Sequence, residues 1–139
     1  MDAMEISASA LTAERTRMNL ISSNLANANS TRTDEGGQYR RKDAVFATVL
    51  DGASANMEGG TEVIGVEVVN IIEDQSPPRL QYDPGHPDAR EDGYVAYPNV
   101  NIVEEMADMV TATRAYEANT TAMKAGMDMQ MKALEIGSK

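Results

Sequence analysis

The chain has 139 residues, a net charge of −10 and a sequence pI of about 4.4, a balance that argues against a nucleic-acid partner, because binding phosphate requires a basic surface. It contains no Cys, one His, one Phe, no Trp and ten Met, which removes thiol chemistry, disulfides and cysteine zinc sites and makes an ordinary aromatic-anchored core unexpected. No stretch approaches the length of a membrane span, and the N-terminus lacks the pattern of a cleaved secretory signal.

From Ala3 to Asn27 the spacing predicts an amphipathic helix. Met4, Leu11, Met18 and Leu25 recur at sevens, with Ala8 and Ile21 between them. Asn24, Asn27, Asn29, Ser30 and Thr31 then compete with the helix backbone, and Asp34 to Gly37 complete the break. Residues 1–42 carry six basic and five acidic side chains, so the acidity lies downstream.

Tyr39 to Leu50 can be read as a strand or as one and a half helical turns, and strand is the reading adopted. Asp51 to Gly60 reads as a loop. Glu62 to Ile72, rich in Val and Ile, predicts a strand, and Ser76-Pro77-Pro78 ends it on an extended path. Around Asp83-Pro84-Gly85 the sequence predicts a type II turn, and Glu91 to Gly93 a second turn before Tyr94 to Tyr97.

Asn101 to Ile136 contains no proline and one glycine, Gly126, and predicts one long helix of roughly 54 Å. A compact globule of this length would be only about 37 Å across, so the helix should project beyond it. Its expected seam is Ile102, Met106, Met109, Thr113, Tyr116, Thr120, Met123, Met127, Met131 and Leu134. Asn101 and Glu104 are placed to cap its start, and Lys132 and Gly137 to close its end.

The fold class expected is therefore mainly α with a small β-rich insertion. Residues 1–30 and 99–139 form an antiparallel, coiled-coil-like hairpin, and residues 31–98 a middle of short strands and loops. A two-helix hairpin buries one stripe of each helix, so the chain is expected to be marginal alone and stable in an assembly.

Several of these motifs together resemble the flagellar basal-body proximal rod protein family, the FlgC family. Ser23-Asn24-Leu25-Ala26-Asn27-Ala28-Asn29 followed by Thr31-Arg32-Thr33 is similar to the N-terminal signature of rod and hook proteins. Glu35-Gly36-Gly37-Gln38-Tyr39-Arg40-Arg41-Lys42 resembles the continuation particular to this subunit. Asp83-Pro84-Gly85-His86-Pro87, Gly93-Tyr94-Val95 and Pro98-Asn99-Val100-Asn101 with Glu104-Glu105-Met106 resemble its second half, and Arg114-Ala115-Tyr116-Glu117-Ala118-Asn119 resembles the helix signature common to axial proteins.

The resemblance implies export through the flagellar type III apparatus without cleavage and assembly in the periplasm into a helical tube that transmits torque. Its partners would be copies of itself and other rod and basal-body subunits. It implies no catalysis, no cofactor and no membrane span. It also implies that Phe46 and Leu50, a Phe followed four residues later by an aliphatic residue, form a docking signal for the export gate.

The other readings are a soluble helical adaptor or secretion chaperone, and a small metal-dependent enzyme centred on His86. Against the latter, no second imidazole or thiolate exists to share a metal with His86. Asn24 and Asn27 are expected to cap or to bond backbone across a subunit boundary. Arg40, Arg41 and Lys42 are expected on a solvated face, with docking to an acidic neighbour the sharper alternative. The Met-rich stripe suits either a generic seam or contacts with unlike neighbours, and the resemblance favours the second.

Overall fold

A computed structural model describes residues 3–50 and 63–138. The expected loop at Asp51–Gly60 lies outside the described residues. Six elements follow in order: α1 (Ala3–Ala26), β1 (Lys42–Leu50), β2 (Val63–Glu73), β3 (Arg79–Tyr82), β4 (Tyr94–Tyr97) and α2 (Ile102–Gly137). Two long helices flank a strand-bearing middle, the fold class that the periodicity predicts.

The helices run antiparallel. Asn24 meets Glu105 near one end, Met18 meets Thr113 further along, and Met4 lies against Gly126. At Gly126 a Cβ would sit 2.8 Å from the Met4 Cγ, so glycine lets the helices close together there. Past that point α2 continues to Gly137 with no described part of α1 beside it, which leaves Leu134 74% exposed.

The face of α2 turned to α1 carries Glu105, Met109, Ala112, Tyr116, Asn119, Met123 and Gly126, all buried or half-buried. It shares Met109, Tyr116 and Met123 with the expected seam. Ile102, Met106, Thr113, Thr120, Met127 and Met131 instead form an exposed flank, rotated by roughly 80° at 3.6 residues per turn. Small side chains at Ala112 and Gly126 permit the closer approach. On α1, Met4, Leu11, Met18 and Leu25 are all half-buried.

Strands β1 and β2 pair antiparallel from Lys42↔Glu73 to Leu50↔Val63, with register shifts at Val45/Phe46 and Val49/Leu50. This ribbon packs on α1, not on α2. Ser9 makes the packing possible: its hydroxyl accepts from the Val66 amide at 3.0 Å and donates to the Ile6 carbonyl at 2.8 Å. Gly65 lies directly over Ser9, where a Cβ would be 2.8 Å from its hydroxyl. The expectation that each helix buries a single stripe is corrected for α1, which is the middle layer and buries a second, small-residue face, with Ala13 at 3% exposure.

β3 and β4 pair from Arg79↔Tyr97 to Tyr82↔Tyr94. The extended path after Pro78 is thus a strand, because β4 satisfies its backbone. The Asp83–His86 turn closes with the His86 amide on the Asp83 carbonyl at 3.2 Å. Gly85 does not have the positive φ that a type II turn demands at its third place, so that expectation is corrected. Between β3 and β4 it is Gly93, at φ 81°, that takes left-handed backbone, as Gly36 and Gly37 do in the segment after α1.

Asn101 caps α2 as expected, its side chain accepting from the Val103 and Glu104 amides. At the far end the helix runs through Gly137, and Ser138 takes the C-cap in right-handed conformation, with its amide on the Leu134 carbonyl at 3.0 Å. No described helix is long and apolar enough to cross a membrane.

Candidate functional site

The strongest local chemistry lies where α1 ends, β1 begins and α2 starts. Asn24 is 0% exposed and uses its whole amide: Nδ2 donates to the Lys42 carbonyl at 2.8 Å and to Glu105 Oε2 at 3.2 Å, while Oδ1 accepts from the Tyr39 hydroxyl and the Lys42 amide, each at 3.0 Å. Complete satisfaction of this kind is what allows an amide to be buried at all. Asn24 bonds the backbone of its own chain, which corrects the expectation of a bond across a subunit boundary.

Glu105 is 1% exposed, and its other oxygen pairs with the Arg41 Nε. Arg41 also lies 3.3 Å from Asp43 and 3.7 Å from Asp108. Burial by itself lowers the pKa of the Arg41 guanidinium, but the hydrogen bond and charge of Glu105, with a smaller part from Asp43, outweigh it and leave the value raised. Arg41 is thus not part of a solvated basic face, because α2 brings Glu105 and Asp108 to it and β1 brings Asp43. Arg40 does face solvent and donates to Gln75 at 2.8 Å, and Lys42 lies over the Tyr39 ring.

Asn99 extends the junction. It accepts from the Arg41 amide at 3.0 Å and donates to the Asp74 and Ser76 carbonyls, each at 3.1 Å, while the Asp74 amide bonds the Arg41 carbonyl at 2.8 Å. Asn27 stays local, donating to the Ser23 carbonyl at 2.9 Å. Asn119 is half-buried on the α1-facing side of α2.

The sequence alone did not reveal that Glu105 is buried. The signal was available: Glu105 stands four residues, about one helical turn, before Met109, on the line that continues through Ala112 and Tyr116, with a basic cluster upstream to neutralise it.

His86 is occupied by structure. Its Nδ1 accepts from the Asp88 amide at 3.0 Å, and its ring meets Tyr97 edge-on. The Asp88 carboxylate is held by Thr31 at 2.7 Å and Arg32 at 3.3 Å, tying this turn to the segment after α1. Among the described residues no three His, Cys, Asp or Glu side chains form a group that could hold a metal ion.

Phe46 and Leu50 both lie on β1, Phe46 half-buried and Leu50 exposed. The larger apolar surface is on α2, where Val103, Met106, Val110, Met127, Met129, Met131, Leu134 and Ile136 are all exposed. The chain therefore combines a rigid polar junction with a long, uncovered apolar helix.

Two families match at the two ends. Residues 4–32 match the family described as "Flagella basal body rod protein", and residues 91–136 match "Flagellar basal body rod FlgEFG protein C-terminal". The flagellar basal-body rod protein FlgC of Bacillus subtilis (strain 168) is 48% identical over 146 aligned residues, covering 96% of this chain and 95% of that one. The FlgC protein of Borreliella burgdorferi is 41% identical over 144 residues, covering 96% and 94%. That of Salmonella typhimurium (strain LT2) is 39% identical over 137 residues, covering 99% and 97%.

Hairpin, ribbon and matches together define a protein of the flagellar rod class. Within that class, the chain belongs to the FlgC family of flagellar basal-body rod proteins.

Proposed function

We propose that the chain is a structural, non-enzymatic subunit of the flagellar basal-body rod, placed in its proximal part within the periplasm. It packs there against further copies and other rod proteins and passes torque along the tube. The observation that carries this is the run of α2 beyond Gly126, where Met127, Met131 and Leu134 stand uncovered on a helix continuous with the packed hairpin. At about 25 cal/mol per Å² of apolar area, covering this stretch favours association strongly. Abundant Met on this surface supports packing against neighbours that differ from one another. Subunits reach the rod through the flagellar type III export apparatus without cleavage.

The absence of cysteine makes a clean test available. Leu134→Cys, expressed in place of the native chain, should be captured by a short bis-maleimide together with neighbours that carry introduced cysteines, and only in cells that build basal bodies. Cross-linking that is independent of basal-body formation would overturn the assignment of this surface to the rod.

A further inference from the structure

Past Gly126 the helix carries Met127, Met129 and Met131 within five residues. Their exposures are 51%, 67% and 62%, against half-burial for Met109, Met123 and Met18 along the hairpin; Met106, at the start of α2, is the other exposed methionine among the described residues, at 56%. Positions four apart share a helix face, so Met127 and Met131 align with Leu134, while Met129 lies with Ile136 on the other side. The tip is thus apolar on opposite faces and carries a soft sulfur on each.

With no cysteine in the chain, no thiol competes for a mild oxidant. We infer that Met127, Met129 and Met131 form a peroxide-modified site in the free subunit, whose oxidation to sulfoxide withholds that subunit from assembly. The effect on assembly rests on the reading of α2 as an assembly surface.

The step is a two-electron oxygen transfer. A thioether lone pair attacks one oxygen of hydrogen peroxide, the O–O bond breaks as the S–O bond forms, and the departing hydroxide takes the remaining proton as water. Sulfur is oxidised and peroxide reduced, with no further reactant. The product replaces a flexible apolar side chain by a polar one with a strong acceptor, which cannot be buried without a donor. Sulfur enclosed by neighbours reacts slowly, so incorporated copies are protected and the modification acts before assembly.

The test treats the purified full chain with hydrogen peroxide and measures sulfoxide at each methionine by peptide mass spectrometry. Met129 and Met131 should oxidise at least several-fold faster than Met109, Met123 and Met18. Equal or reversed rates overturn the site. A second arm measures capture of the chain by immobilised rod proteins of the same organism. Oxidised wild type should lose capture at least ten-fold, and the triple variant M127L/M129L/M131L, given the same peroxide, should keep it. Equal loss in the triple variant overturns the assignment to these three residues. If untreated wild type is not captured, the rod reading fails and the effect on assembly fails with it, while the sulfoxide rates still test the modification independently.

Discussion

Asn24 and Glu105 stand 81 positions apart in the chain and are hydrogen-bonded at 3.2 Å in its interior. That bond joins the end of the first helix to the start of the second. The Lys42 amide and carbonyl, held by the same asparagine, bring the first strand to the same point.

Asn24→Asp should therefore be worse than Asn24→Ala. The alanine variant leaves buried partners unsatisfied, at roughly 1–3 kcal/mol for each group that water cannot reach. The aspartate variant loses both Nδ2 donations and sets a second carboxylate beside Glu105. Urea midpoints of the two variants check the order, and equal midpoints would show that Glu105 does not feel the added charge.

Acid should loosen the same region through Asp74. Hydrogen bonds from Ser76, first from its side chain and then from its amide, hold the Asp74 carboxyl below the ordinary aspartate value. A lowered folded-state pKa contributes stability that is present above the unfolded value, about 3.9, and is lost as pH falls through the folded one. Thermal midpoints should fall below about pH 4, and Asp74→Asn should flatten that limb. Parallel limbs in the two proteins would remove Asp74 from the account.

Carboxylates placed on α2 should separate folding from assembly. Met123→Asp puts a charge in the half-buried hairpin seam and should lower stability by roughly 2–4 kcal/mol. Leu134→Asp lies on exposed helix and should leave the urea midpoint within about 0.5 kcal/mol while abolishing motility. Wild-type motility with Leu134→Asp would show that this end of α2 is never covered.

Amide hydrogen exchange in the isolated monomer should divide α2 near Gly126. Residues 105–123 are backed by α1, whereas 127–137 are exposed throughout and should exchange orders of magnitude faster. Uniform protection along the whole helix in a demonstrated monomer would argue against an assembly-dependent end.

Replacing both Phe46 and Leu50 with Ala tests the export signal. As export residues, they should lower the secreted amount while the intracellular amount stays level or rises, and the purified variant should still join its neighbours. Normal secretion with failed incorporation would make them packing residues of β1.

Much of this architecture is legible in the sequence because the long helices advertise themselves. Sevens from Met4 to Leu25 and a proline-free run from Asn101 onward locate both, and the Val- and Ile-rich run marks β2. The face of α2 is harder to read. Following the largest side chains leads to Met106, Met127 and Met131, whereas the real contact follows the smallest ones, Ala112 and Gly126, because close approach of two helices is set by steric room. The second face of α1 is equally quiet: Ser9 and Ala13 carry no strong hydropathy signal, and only the approach of Gly65 gives them meaning. Arg41 and Glu105 look like surface charges until the fold brings them together across 64 positions.

The β1–β2 ribbon is fastened to α1 at Ser9 and again at Asn24, fifteen positions or roughly 22 Å along the helix. A single fastening would act as a pivot about which the ribbon could swing. Two separated fastenings remove that rotation, so a sideways push on the ribbon must turn the hairpin with it. The ribbon then behaves as a crank fixed to a shaft, and a load applied at its outer end reaches α2 without slack.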